Sequence, residues 1–245
     1  MPRLRLDEAL VQHGFYVTRS RARDAVLRGK VLVSGKAAAR PGHPVEPDAR
    51  IEIDDEARAY VSRAALKLIH ALDHLGWSPA GCAALDVGAS TGGFTQVLLE
   101  RGARRVIAVD VGHGQLAQSI SSDPRVTVIE GLNARDLTKV HLGEAPQFIT
   151  ADVSFISLKL ALAAALDLAA PGARLIALVK PQFEVGPAGL DKSGIVRDDL
   201  LRAKACSDIA AWLEDRGWDV KATLESPIEG GDGNKEFLIA AEKPC

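Results

Sequence analysis

Three observations predict an α/β chain with a Rossmann-like, mainly parallel sheet and a small α+β unit in front of it. From residue 63 onward, short apolar runs alternate with helical patterns, the signature of parallel strands joined by crossover helices. One run, Leu85-Asp86-Val87-Gly88-Ala89-Ser90-Thr91-Gly92-Gly93-Phe94, stops in a carboxylate and glycines, and such a loop lets a ligand approach the main chain closely. About twenty residues on, Arg105-Val-Ile-Ala-Val-Asp110 is a second apolar run ending in an acid, where a Rossmann-type sheet binds ribose hydroxyls. The predicted ligand is a nucleoside.

The glycine spacing narrows the choice of nucleoside. A dinucleotide fingerprint needs glycine two residues after Gly88, where Ser90 stands, and a P-loop needs Gly-Lys-Ser/Thr, where Thr95 follows Phe94 instead. Neither pyrophosphate motif fits.

With 245 residues and 47% hydrophobic content the chain can bury a full core, as one large domain or as a large and a small one. The net charge of −2 argues against a wholly basic coat, yet residues 1–45 carry nine Arg or Lys against three acids. Cys82, Cys206 and Cys245 share no close spacing, so neither a disulfide framework nor a metal site is expected, and a reducing cytoplasm is the simplest setting. The N-terminus alternates Arg and Leu without an apolar signal core. The longest apolar segment, Leu160 to Ala170, contains Asp167 and falls short of the roughly 20 residues of a membrane span; a soluble protein is expected.

In chain order, Leu4 to His13 has helical periodicity ended by Gly14, and Thr18 or Ser20 can cap a second helix running to Arg28. Lys30-Val-Leu-Val-Ser-Gly35-Lys36 alternates like a strand entering a turn, with Ile51-Glu-Ile53 as partner. Arg5, Arg19, Arg21, Arg23, Arg28, Lys30 and Lys36 form a basic array suited to phosphates. Arg5-Leu6-Asp7, Thr18-Arg19-Ser20-Arg21 and Gly29 to Lys36 resemble the S-four-type RNA-binding domain, named for a small-subunit ribosomal protein. An acidic stretch from Glu46 to Glu56 follows, so the domains are expected at 1–57 and 63–245, with 58–62 as linker.

Ser62 can cap a helix from Arg63 to about Leu75 with Leu68, Leu72 and Leu75 as its apolar stripe. Strands are expected at 84–87, 106–110, 126–130, 148–152 and 175–180, with helices most clearly at 93–101 and 158–170. A long glycine-bearing loop, Pro181 to Gly194, lies at the ligand edge, where long loops are usually functional. A helix from Asp199 to Arg216 leads to a final hairpin, Val220–Ser226 and Phe237–Ala241. Four charges fall where the sheet gathers them: Lys67, Asp152, Lys180 and Glu236. Lys180 follows an apolar strand and precedes Pro181, which holds it extended.

Asp86, Gly88 and Gly92 resemble the loop that holds the methionine part of S-adenosylmethionine. The Lys-Asp-Lys-Glu set resembles that of FtsJ-like ribose methyltransferases, and the whole chain resembles the TlyA family, an S-four domain fused to such an enzyme. The carrying stretches are Tyr60 to Lys67, Asp86 to Phe94, Asp110 to Leu116, Ala151 to Ser157, Val179 to Val185 and Gly233 to Glu236. The resemblance implies a class I methyltransferase sheet and 2'-O-methylation of cytidine in ribosomal RNA, using S-adenosylmethionine and no metal, on ribosomal subunits. Because the chain stops at Cys245, large-subunit RNA is the expected target, with small-subunit RNA left open.

On that resemblance Lys67, Asp152, Lys180 and Glu236 are the catalytic set. The cofactor set is Asp86, Gly88, Ser90, Thr91, Gly92, Gly93, Phe94, Asp110, Asn133 and Asp152, with Asn133 at the adenine edge. Lys192 and Arg197, flanking the long loop, are candidates for RNA phosphates. A ribose hydroxyl must lose a proton as the methyl arrives. Lys180 is expected to take it, with Lys67 nearby and the two carboxylates orienting the lysines. A merely positional Lys180 stays open. The rival readings are a non-catalytic RNA-binding protein, a small-molecule methyltransferase, for which the basic front unit would be idle, and a membrane-active haemolysin, a label the family often carries; no spanning or strongly amphipathic membrane segment supports the last.

Overall fold

The computed structural model describes residues 3–38 and 40–245, in two compact units, Met1–Ala59 and Tyr60–Cys245. In the first, β1 (Leu4–Arg5) leads into α1 (Leu6–Gln12) and α2 (Arg19–Leu27), then β2 (Val31–Val33), β3 (Lys36–Ala37), β4 (Pro44–Val45) and β5 (Ile51–Ile53). The Thr18 hydroxyl accepts from the Arg21 amide at 3.3 Å and starts α2, satisfying one of the amides that a helix N-terminus leaves without a partner. β2 pairs antiparallel with β3 and β5, while β1 pairs with β4. The helices close over Leu6, Leu10, Ala22, Val26 and Val31, all fully buried.

One polar cluster is sealed into this small unit. Asp55 accepts from the Tyr16 hydroxyl at 2.8 Å, from both terminal nitrogens of Arg28 at 2.9 Å, and from the Ala57 amide at 3.1 Å. Burial pushes the Tyr16 phenol well above its usual range, with the Asp55 carboxylate adding to the rise. Burial also opposes the charge on Asp55, but the Arg28 and Tyr16 hydrogen bonds outweigh it and hold the carboxyl below its usual range.

The second unit follows the alternating pattern: α3 (Ala65–Leu75), β6 (Ala83–Val87), α4 (Gly93–Glu100), β7 (Arg105–Asp110), α5 (Gln118–Ser121), β8 (Val126–Glu130), α6 (Lys139–Leu142), β9 (Phe148–Ala151), α7 (Leu158–Leu168), β10 (Arg174–Val179), α8 (Asp199–Asp215), β11 (Asp219–Glu225) and β12 (Phe237–Glu242). The seven strands lie in the order β11-β12-β10-β9-β6-β7-β8, parallel from β10 to β8, with β12 antiparallel to both β10 and β11. One face packs on α7 and α8 through Leu162, Leu166, Ile209 and Leu213. The other packs on α3 and α4 through Leu68, Leu72, Val97 and Leu98. Successive strands leave β6 in opposite directions, so the crevice between the carboxyl ends of β6 and β9 is the switch point where such sheets bind ligands.

Some expected boundaries shift. Helix α3 begins at Ala65, not Arg63, because the Ser62 hydroxyl accepts from the Ala64 amide at 3.2 Å and makes a turn instead of a helix cap. Asp152 and Lys180 stand one residue beyond β9 and β10, and Glu236 one residue before β12, because the ladder hydrogen bonds stop where the chains diverge toward the crevice.

Replacing Asp55 with alanine should destabilise the first unit by roughly 3 kcal/mol, since Tyr16 and Arg28 would stay buried without their acceptor. Hydrogen exchange at the β2 amides in the full chain measures it; unchanged protection there would contradict the role assigned to Asp55.

Candidate active site

The loop after β6 is shaped by contacts that forbid side chains. Gly88 has φ +80°, and a Cβ there would meet the Asp152 carbonyl oxygen at 2.6 Å. Gly92, at φ +98°, starts α4 in the left-handed region, and its Cβ would meet Leu116 at 2.9 Å. Between them Ser90 takes φ 48° without being glycine, a conformation that costs free energy and persists only when its surroundings hold it. The hold is visible: the Ser90 amide donates to Asp110 Oδ2 at 2.7 Å and its hydroxyl to Gln115 Oε1 at 3.3 Å. Asp110 Oδ1 accepts from the Gly112 amide at 2.7 Å. Each carboxylate oxygen can accept a second bond, so Asp110 keeps capacity for ligand hydroxyls.

Asp86 is placed differently from expectation. It is fully buried, accepting from Thr95 Oγ1 at 2.6 Å and Thr150 Oγ1 at 3.0 Å. Burial pushes its carboxyl up to about 6, against the pull of those hydroxyls and with the Asp152 charge adding to the rise. It therefore ties β6 to β9 and to the first turn of α4 and presents no surface to a cofactor. The correction follows from position: the strand that carries Asp86 is central, with a sheet neighbour on each side.

Beside the loop lies a cleft of about 720 Å³ lined by Val87, Asp110, Leu132, Asn133, Val153 and Phe155, among others. An adjoining cavity of about 150 Å³ is lined by Thr91, Gly93, Phe94 and Lys180, and the two share Gly88, Ser90, Asp152 and Ser154. Asn133 Oδ1 accepts from the Arg135 amide and Nε, both at 3.1 Å. Gly92 lies behind the cavity, packed on Leu116 and Ile120.

The four charged residues form two pairs. Lys67 Nζ donates to Glu236 Oε2 at 2.5 Å, with both residues nearly sealed from solvent. Lys180 Nζ stands 2.7 Å from Asp152 Oδ1 and donates to Ser154 Oγ at 2.8 Å. Asp152 Oδ1 is buried and, although close enough to form the ion pair, receives no well-aligned hydrogen bond. Buried ions need such pairing, since an unpartnered charge in the interior is strongly unfavourable.

Three residues without a sequence role shape this corner. Ser154 is one. Phe155 takes φ 63°, is 91% exposed and packs its ring 5.2 Å from that of Phe183. Glu184 accepts from Ser157 Oγ at 2.7 Å and the Leu158 amide at 2.8 Å, tying the turn after β10 to the start of α7. The spacing of Asp152 and Ser154 in an extended stretch, where alternate residues share a face, was the available signal for the first.

Of the basic array, Arg5 pairs with Asp7 and Arg19 with Asp7 and Glu8, while Arg21 donates to the Ala57 carbonyl. The Arg28 guanidinium is turned inward onto Asp24 and Asp55, which leaves it less available to a phosphate than the sequence suggests. Arg23 and Lys36 are exposed and Lys30 is half-buried; among the described residues none of the three has an ion-pair partner. Lys192 is exposed, whereas Arg197 is held by Asp191 at 2.6 Å.

Comparison with known proteins accords with this geometry. Residues 60–243 match the FtsJ-like methyltransferases and residues 4–51 the S4 domain. Over 97% of its length the chain is 43% identical to the 16S/23S rRNA (cytidine-2'-O)-methyltransferase TlyA of Mycobacterium tuberculosis, of which it covers 89%. The chain belongs to the TlyA family of FtsJ-like methyltransferases. Hemolysin A of Brachyspira hyodysenteriae is 40% identical over 96% of the chain and 98% of that protein. A solved chain from Streptococcus thermophilus, carrying a haemolysin label, superposes with a TM-score of 0.78 at 39% identity, covering all of this chain and 90% of that one. Among the described residues no helix is long and apolar enough to cross a membrane, and no group of His, Cys, Asp or Glu could hold a metal ion.

The buried Asp86 makes a pH prediction. Its folded value of about 6 lies above the roughly 3.9 of an unfolded aspartate, so the folded state binds the extra proton. Its penalty is therefore absent below pH 4, grows as pH rises to 6, and is constant above. Relative to Asp86→Asn, the wild type should lose about 2 to 3 kcal/mol of unfolding free energy between pH 4 and pH 7. Urea titrations of both proteins read the difference; a constant difference across that range would contradict the assignment.

Proposed function

We propose that this TlyA-family protein transfers a methyl group from S-adenosylmethionine to the 2'-oxygen of a cytidine ribose in ribosomal RNA, within ribosomal particles of the cytoplasm. The observation that carries this reading is Lys180, buried at the switch point, ion-paired with Asp152 and lining the cavity next to the nucleoside-sized cleft. Two features fit the cofactor: the Gly88 cradle, where backbone stands in place of a side chain, and the buried Asp152 Oδ1, which lacks an aligned donor. The cleft falls in the volume range of small-molecule sites. When bound, S-adenosylmethionine supplies an activated methyl on a sulfonium and departs as the thioether.

The chain's residues do the rest. Asp110 receives ribose hydroxyls of the cofactor, while Leu132 and Asn133 border its base. Asp152 neutralises Lys180 in its charged resting form. After losing that proton to solvent, Lys180 as a neutral amine takes the proton of the target hydroxyl while the new oxygen–carbon bond forms. Lys67, charge-compensated by Glu236, holds the neighbouring wall, and positioning two reactants in line is itself worth several kcal/mol of barrier. Arg5, Arg19, Arg21, Arg23, Lys30 and Lys36 on the S4 unit contact RNA phosphates, with Arg23 and Lys36 the most available.

Replacing Lys180 with alanine should slow single-turnover methylation of ribosomal subunits by at least about 100-fold, the usual contribution of a general base, while S-adenosylhomocysteine still binds in calorimetry. Retention of wild-type rate by that variant would remove Lys180 from the chemistry. The doubly substituted Arg23→Glu, Lys36→Glu protein should bind ribosomal RNA roughly tenfold more weakly, with a salt slope lower by about two, and melt at the wild-type temperature. An unchanged slope would exclude those side chains from the interface.

A further inference from the structure

We propose that Ser154 is a positioning residue for the methyl transfer, its hydroxyl fixing the direction in which Lys180 presents its nitrogen to the target ribose. The proposal rests on the general-base reading of Lys180 given above.

An amine nitrogen has a fixed number of positions around it. Lys180 Nζ is bonded to one carbon and has three further tetrahedral directions. As the ammonium, all three are N–H donors; as the neutral amine, two are donors and the third is the lone pair that must face the hydroxyl. Staggered wells about the terminal bond make the three directions interchangeable unless something distinguishes them. Asp152 supplies charge at 2.7 Å but receives no aligned hydrogen bond. The directed contact is the 2.8 Å bond to Ser154 Oγ. That bond assigns one direction, and the Asp152 charge draws the second N–H, leaving the lone pair the third.

Local backbone accounts for the placement. Asp152 and Ser154 lie two apart just past β9, and Phe155, at φ 63°, turns the chain immediately afterward. The strained residue is held by its ring contact with Phe183 and, two residues on, by the Glu184 bonds to Ser157 and Leu158. Both links arise in the turn that follows Lys180 itself. The segment carrying Ser154 and the segment carrying Lys180 are thereby locked to each other, and the serine faces both the cleft and the cavity.

Removing the hydroxyl has two separable consequences. The neutral amine samples unproductive orientations, so the plateau rate at high pH falls, by roughly threefold to tenfold from lost orientation and one hydrogen bond. The charged form also loses an acceptor, and a hydrogen bond from an ammonium is stronger than one from an amine. Deprotonation becomes easier, so the acid limb of the pH–rate profile moves to lower pH by roughly half to one unit. A slower enzyme active at lower pH is a combination that general loosening of the fold does not produce. The other charged groups of this corner, Asp152, the Lys67–Glu236 pair and Asp86 beneath the loop, are the same in wild type and variant, so they cancel in the comparison.

The experiment is single-turnover methylation of ribosomal subunits across pH by wild type, Ser154→Ala, Ser154→Cys and Ser154→Thr, with S-adenosylhomocysteine binding by calorimetry and thermal melting of each. The expected result is a lower plateau and a shifted limb for Ala and Cys, rates within about twofold of wild type for Thr, and binding unchanged throughout. The Cys variant keeps the side-chain volume while removing the strong acceptor, and gives the same readout if the Ala variant melts early. Wild-type rate and limb in Ala or Cys, or a lower plateau without a shift, would overturn the role of Ser154. A wild-type protein that binds S-adenosylhomocysteine yet leaves every ribose unmodified would instead overturn the function on which it rests.

Discussion

The register of three parallel strands governs this protein. β9 pairs with β6 on one side and β10 on the other, so the residues that follow all three emerge along one edge within reach of each other. Gly88 presses against the Asp152 carbonyl, and Asp152 against Lys180. A slip of one residue in any of these ladders would reverse the faces to which their side chains point and scatter the set. Asp86, fully buried between Thr95 and Thr150, is one reason the register holds, and its raised proton affinity shows how much desolvation the arrangement tolerates.

The same edge explains why charge is concentrated where the sheet is most apolar. Lys67 and Glu236 are buried together, and Lys180 is buried beside the half-buried Asp152. Replacing such pairs by apolar residues is often neutral or stabilising, so fold stability alone does not account for them. Strained backbone gathers there as well. Ser90 and Phe155, two of three non-glycine residues at positive φ among those described, flank the cleft, as expected where a site over-determines its conformation.

The S4 unit applies related physics to a different end. Its basic residues divide into those held by internal carboxylates and those left exposed. Arg28 belongs to the first kind, fastening the Asp55 cluster beneath Tyr16, and Arg23 and Lys36 to the second. A run of arginines in sequence does not distinguish the two, because an arginine that supports a fold and one that meets RNA use the same guanidinium.

What the sequence alone determined was local or periodic. The alternation of strand and helix, the glycine loop after Leu85, the acid ending β7, the Thr18 cap and the charges at the strand ends all follow from patterns a few residues long. Tertiary structure decided the pairings. Lys67 meets Glu236 across 169 residues, Asp86 sinks into the sheet instead of facing a ligand, and Ser154, not only Asp152, takes hold of Lys180. Those outcomes depend on which strands become neighbours and how deeply each end is buried, and desolvation and hydrogen-bond direction acquire values only when the chain has closed around them.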